Sequence, residues 1–164
     1  MSHREFDGRL LGQIAELGLP KNEEFILTDS GALAEWGVIP VEEVGDIDGV
    51  TTPENIEYMR EVLGWKAVER VVGYKSDGRR VRVIATTDPE GKFDVYPHGF
   101  SMYDHHRTGN GRIQPADLIE FSERDPVTGL WVARIDYVER AKRETGRAKD
   151  ELRRLAIKTY FKKQ

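Results

Sequence analysis

Apolar residues recur at Leu10, Leu11, Ile14 and Leu17. This spacing predicts a helix over residues 4–17, closed by Gly18 and Pro20. Residues 24–28 read as a short apolar strand. Asp29 or Ser30 can cap a short helix through Ala32-Leu33-Ala34, which Gly37 ends. The alternating run at residues 46–50 predicts a second strand. Thr52-Pro53-Glu54 combines a capping hydroxyl, a proline at the first helical position and an acid in the first turn. The helix it opens carries Ile56, Met59, Val62 and Leu63 on one face and stops at Gly64.

Residues 66–72 and 80–86 are rich in valine and flank Lys75-Ser76-Asp77-Gly78, a hairpin signal. Asp88-Pro89-Glu90-Gly91 turns the chain into a strand at 92–96. Residues 97–130 mix Gly, Pro, His and Asp and carry a brief apolar stretch at Leu118, Ile119 and Phe121. A short strand is predicted at 130–134. Beyond it, Val138, Ala141, Thr145, Ala148, Leu152, Leu155 and Thr159 step by threes and fours, giving two helices broken at Gly146. The element order predicts an α+β fold, a small mixed sheet with flanking helices and a C-terminal helical segment. At 164 residues, a single domain over 1–164 is expected.

Charge changes this picture more than bulk composition does. Charged residues are 33% of the chain and apolar ones 38%, with no cysteine, which excludes disulfides and thiolate zinc sites. No apolar run approaches membrane-spanning length and no hydrophobic leader opens the chain, so a cytoplasmic protein with no membrane partner is expected. The net charge of −4 is uneven. Residues 134–164 hold eleven Lys/Arg against five Asp/Glu, so a basic helical tail follows an acidic body.

Candidate chemistry centres on Gly45-Asp46-Ile47-Asp48-Gly49-Val50 and Phe93-Asp94-Val95. In a strand, Asp46 and Asp48 share a face, about 6.5–7 Å apart along the backbone. Two carboxylates so placed repel unless a cation lies between them, and Asp94 on a second strand can complete a cage. Such oxygen ligands suit Mg2+ or Mn2+. Paired ions of this kind stabilise both oxygens of a phosphoryl displacement.

Ser30-Gly31-Ala32-Leu33-Ala34-Glu35-Trp36-Gly37, followed by Asp46-Ile47-Asp48, Asp94 and then Arg147-Ala148-Lys149-Asp150, resembles the minimal nucleotidyltransferases of the DNA polymerase β superfamily. The abortive-infection toxin (toxin–antitoxin) and antibiotic-modifying branches are the most similar. The resemblance spans roughly residues 24–155. It implies transfer of a nucleotide from a nucleoside triphosphate to a hydroxyl or phosphate acceptor, whether a small molecule, a tRNA end or a protein side chain. Asp46, Asp48 and Asp94 would be the metal ligands and catalytic acids, and Asp94 would help deprotonate the nucleophile. Ser30 and Gly31 would meet the phosphates, together with Lys142, Arg143, Arg147 and Lys149. The chain departs from the pattern at Asp29, where the family has a glycine, and at Glu42-Glu43 before the acidic pair. Both changes remove positive potential, so a catalytically silent binding or antitoxin-like module is the alternative.

Rival readings attach to the same sequence. His98 and Asp104-His105-His106-Arg107 offer imidazole and carboxylate ligands for zinc. The basic tail can be a solvated helix face, and Asp29 and Ser30 can serve only as helix caps. Trp36, Trp65 and Trp131 read as packing anchors rather than base-stacking platforms.

Overall fold

The computed structural model describes residues 5–74, 80–97, 119–145 and 148–164. It is a mixed α+β structure built on one seven-stranded sheet in the order β3-β4-β5-β2-β1-β7-β6. The strands are β1 (Ile26–Thr28), β2 (Ile47–Thr51), β3 (Lys66–Tyr74), β4 (Arg80–Thr87), β5 (Phe93–Pro97), β6 (Ser122–Arg124) and β7 (Trp131–Ala133). The described α-helices are α1 (Arg9–Ala15), α2 (Asp29–Glu35), α3 (Pro53–Glu61), α4 (Ile135–Thr145) and α5 (Ala148–Lys162). Among the described residues, no helix is long and apolar enough to cross a membrane.

The centre of the sheet is where the sequence pattern is strictest. β1 runs antiparallel to β2, and β2 runs parallel to β5. Leu27, Gly49 and Val95 lie side by side across these three strands, and all are buried. Gly49 is a glycine because the fully buried Phe25 ring lies over it: a Cβ there would meet Phe25 Cε1 at 2.7 Å. Gly31 has a similar reason, since a Cβ would meet Leu27 Cδ1 at 2.9 Å where α2 packs on β1.

Two buried polar side chains tie loops to this core. Glu35 has no exposed surface and accepts the backbone N–H groups of Gly8, Leu10 and Leu11, serving as a remote cap for α1. Burial raises its pKa, and those three donors oppose the rise. Asn55, equally buried, accepts from the Lys21 N–H and donates to the Lys21 carbonyl and to Thr51 Oγ1. Thr52 Oγ1 accepts from the Asn55 N–H and caps α3, as the Thr-Pro-Glu start predicts.

Several expectations are corrected. The first helix occupies Arg9–Ala15 of the described residues, shorter than 4–17, with Gly8 at φ +95° before it. Val62 is exposed because α3 ends one residue earlier, leaving Met59 as its buried anchor. The last helix is rotated from the predicted seam: Leu152 and Leu155 are exposed, while Asp150 and Ile157 face inward. Polar contacts set that rotation, with Arg154 Nε 3.3 Å from Glu139 on α4 and Arg153 donating to the Glu43 carbonyl at 2.9 Å. Strand β6 went unread in the sequence. It pairs with β7 through a turn in which buried Asp125 accepts from the Thr128 N–H and hydroxyl, and Gly129 takes φ +79°.

Two glycine substitutions test this packing in opposite directions. Gly49→Ala should destabilise the protein by about 1–3 kcal/mol through overpacking against Phe25. Gly12→Ala, in open space inside α1, should stabilise it by about 0.5–1 kcal/mol. Chemical denaturation reads both; equal effects would mean that Phe25 does not hold the sheet face as described.

Candidate functional site

Strand register brings the acidic residues together. Thr28 on β1 lies opposite Asp48 on β2, Asp48 opposite Asp94 on β5, and Asp94 opposite Thr87 on β4. Residues opposite one another in a ladder share a face, so Asp48 and Asp94 stand side by side on strands about 4.8 Å apart. Asp46 is exposed at the bend just before β2. Asp29 follows Thr28 directly and starts α2 with φ +57°, the one positive φ at a non-glycine among the described residues. Aspartate tolerates this left-handed region better than most residues, though at some cost in strain.

Asp29 acts on Asp48 both through its charge and through a side-chain hydrogen bond. Two carboxylates bond only by sharing a proton. The pKa of half-buried Asp48 is raised well above the ordinary aspartate value, first by burial, then by the charge and hydrogen bond of Asp29, then by Asp94 and Asp46. Asp29 is therefore part of the cluster rather than a cap, and no side-chain cap closes α2.

Asp94 is neutralised differently. Arg70 on β3 reaches across β4 and donates from Nε to Asp94 Oδ2 at 3.2 Å and from Nη2 to Oδ1 at 3.1 Å, a two-pronged ion pair. The Asp94 side chain is 8% exposed and that of Arg70 38%, so the arginine is the member open to solvent. Tyr96, two residues beyond Asp94 on the same face, is buried beside the cluster. Burial and the charges of Asp48 and Asp94 push its phenol pKa upward, while Arg70 opposes them. Thr87 Oγ1 is buried with no hydrogen-bond partner among the described residues, a state that costs a hydroxyl about 1–3 kcal/mol.

The other predicted site residues are placed less tightly. Ser30 is half-buried in the first turn of α2, and Gly31 has the packing role given above. Lys142 falls on α4 and Lys149 on α5, but their side chains and that of Arg143 lie outside the described residues, as does all of Arg147. His98, Asp104, His105, His106 and Arg107 lie outside them too. The tryptophans pack as expected: Trp36 Nε1 donates to the Ala133 carbonyl, Trp131 Nε1 to that of Glu23, and Trp65 lies 5.2 Å from the Phe93 ring. Arg70, Thr87 and the direction of Asp29 had no signal in the sequence, because each depends on contacts across strands. Tyr96 had one, the alternation that places it beside Asp94.

The donor set fits a hard divalent cation in its chemistry, since every candidate ligand is a carboxylate oxygen. As the side chains stand, no three His, Asp or Glu groups among the described residues are arranged to hold a metal ion. Asp94 is committed to Arg70, and Asp48 to Asp29.

The shared proton has a consequence for stability. The folded chain binds a proton at Asp48 that the unfolded chain releases near pH 3.8. Stability at this group is therefore full below that value and is lost as pH rises through the raised pKa. Asp48→Asn should match the wild-type melting temperature below pH 3.8 and exceed it by a margin that grows as pH rises to the raised pKa and is constant beyond it. Parallel melting curves for the two proteins would show that Asp48 is not strained by its neighbours.

No family model, no curated protein and no solved structure matches this chain. Its functional reading accordingly rests on the geometry of these residues.

Proposed function

We propose that the carboxylate cluster is a divalent-cation and nucleotide site in a nucleotidyltransferase-like arrangement, and that its chemistry is nucleotidyl transfer. The observation that carries this reading is the register Thr28–Asp48–Asp94, which sets two acids on one face of adjacent parallel strands beside the start of α2. Asp46 and Asp48 would hold Mg2+ or Mn2+, and when bound the ion would neutralise charge on the triphosphate and the leaving pyrophosphate. An acceptor oxygen would attack the α-phosphorus, the bond to pyrophosphate would break, and Asp94 would receive the acceptor's proton. The acceptor is a hydroxyl or phosphate of a small molecule, a tRNA end or a protein.

A second reading is favoured by one observation. Asp29 directs its carboxyl into the cluster, where a triphosphate would meet another negative charge. A catalytically silent nucleotide-binding or antitoxin-like module is what that arrangement would leave.

Isothermal titration with Mg2+ and each nucleoside triphosphate is the test, with labelled triphosphate to detect transfer. Metal-dependent binding is expected in the wild type, with loss of at least about tenfold in affinity in Asp48→Asn. Asp29→Gly should bind more tightly than the wild type. Turnover in the wild type supports transfer, whereas binding without turnover supports the silent module. Triphosphate binding that survives removal of the metal and of Asp48 would overturn both.

A further inference from the structure

Among the described residues, the Arg70 guanidinium and the unpartnered Thr87 hydroxyl lie on the same side of Asp94. Arg70 comes from β3 and Thr87 from β4, the two strands beyond β5. Thr87 stands opposite Asp94 in the ladder, so its side chain shares the face that holds the acids. It is 9% exposed, and its hydroxyl oxygen is buried with no partner among the described residues. A hydroxyl placed so beside a charged cluster is a donor without an acceptor. Arg70 is half-buried and bound to Asp94 through two parallel N–H bonds. The same planar fork fits two oxygens of a phosphate as well as it fits a carboxylate.

We propose that Arg70 and Thr87 form the phosphate-binding edge of the site: Arg70 holds Asp94 while the site is unloaded and passes to the polyphosphate chain on loading, where the Thr87 hydroxyl also donates. The proposal rests on the cation-and-nucleotide reading above. It assigns that reading a source of positive charge on the sheet itself, independent of the basic C-terminal helices. It also explains why Asp94 is paired in a cluster meant for a cation. A metal arriving at the acids takes over the neutralisation of Asp94 and frees the guanidinium beside the incoming phosphates. Arg70 would thus act as a resident stand-in for the cation, and metal and phosphate would load together.

The test is calorimetric titration of the full chain with Mn2+ alone and with inorganic tripolyphosphate in the presence of Mg2+. Arg70→Gln releases Asp94, so it should bind Mn2+ several-fold more tightly than the wild type and tripolyphosphate roughly tenfold more weakly. Arg70→Lys retains the charge without the fork and should fall between the two. Thr87→Val removes the unpartnered hydroxyl at constant shape. It should raise the melting temperature of the ligand-free protein, leave Mn2+ affinity unchanged and weaken tripolyphosphate binding a few-fold. A merely structural threonine or arginine would not move stability and phosphate affinity in opposite directions. If the wild type binds both probes and these variants bind tripolyphosphate equally well, the proposal is overturned while the cation site stands. If the wild type binds neither probe, the cation-site reading fails and the proposal falls with it.

Discussion

Like charges brought together on one sheet face are the constraint on which the rest of this structure turns. Asp48 and Asp94 are neighbours on parallel strands, and Asp29 and Asp46 lie close enough to act on Asp48. Carboxylates in such a place cannot all be ionised and unpaired. The molecule answers with a raised proton affinity at Asp48 and with a forked bond from Arg70 to Asp94. The uncompensated hydroxyl of Thr87 lies along the same face.

Such a cluster needs a rigid support, since small shifts would relieve the repulsion and disperse the acids. The opposite face of the same strands supplies it. Leu27, Gly49 and Val95 form a buried row there, with the Phe25 ring seated over Gly49. Buried Asn55 fastens α3 to the loop before β1, and buried Glu35 fastens α1 to α2. The strand that places Asp48 is thus packed on one face and charged on the other. Alternation along β2 ties the two faces together, because a one-residue slip would turn the acids toward the Phe25 side of the sheet and Ile47 and Gly49 toward Arg70.

What the sequence made legible was whatever depends on local pattern. Alternation around Asp48 and Asp94 marked their strands, Thr52-Pro53-Glu54 marked the start of α3, and the valine runs marked the β3–β4 hairpin. What it hid depends on contacts between distant segments. Arg70 lies in an ordinary valine-rich strand and becomes part of the cluster only because β3 sits two strands from β5. Asp29 looks like a helix cap in sequence, but in the fold it acts on Asp48 by charge and hydrogen bond. The seam of α5 departs from the apolar periodicity because an aspartate, not a leucine, faces inward: Asp150 is fully buried while Leu152 and Leu155 are exposed.

The proposed divalent-cation site between Asp46, Asp48 and Asp94 is open to paramagnetic broadening by Mn2+ in the amide NMR spectrum of the labelled protein. Substoichiometric Mn2+ should selectively remove the signals of residues 46–49 and 93–95, with Thr28 and Asp29 next, and excess Mg2+ should restore them. Broadening confined to other acidic stretches, such as Glu42-Glu43 or Glu23-Glu24, with residues 46–49 and 93–95 unaffected, would contradict it.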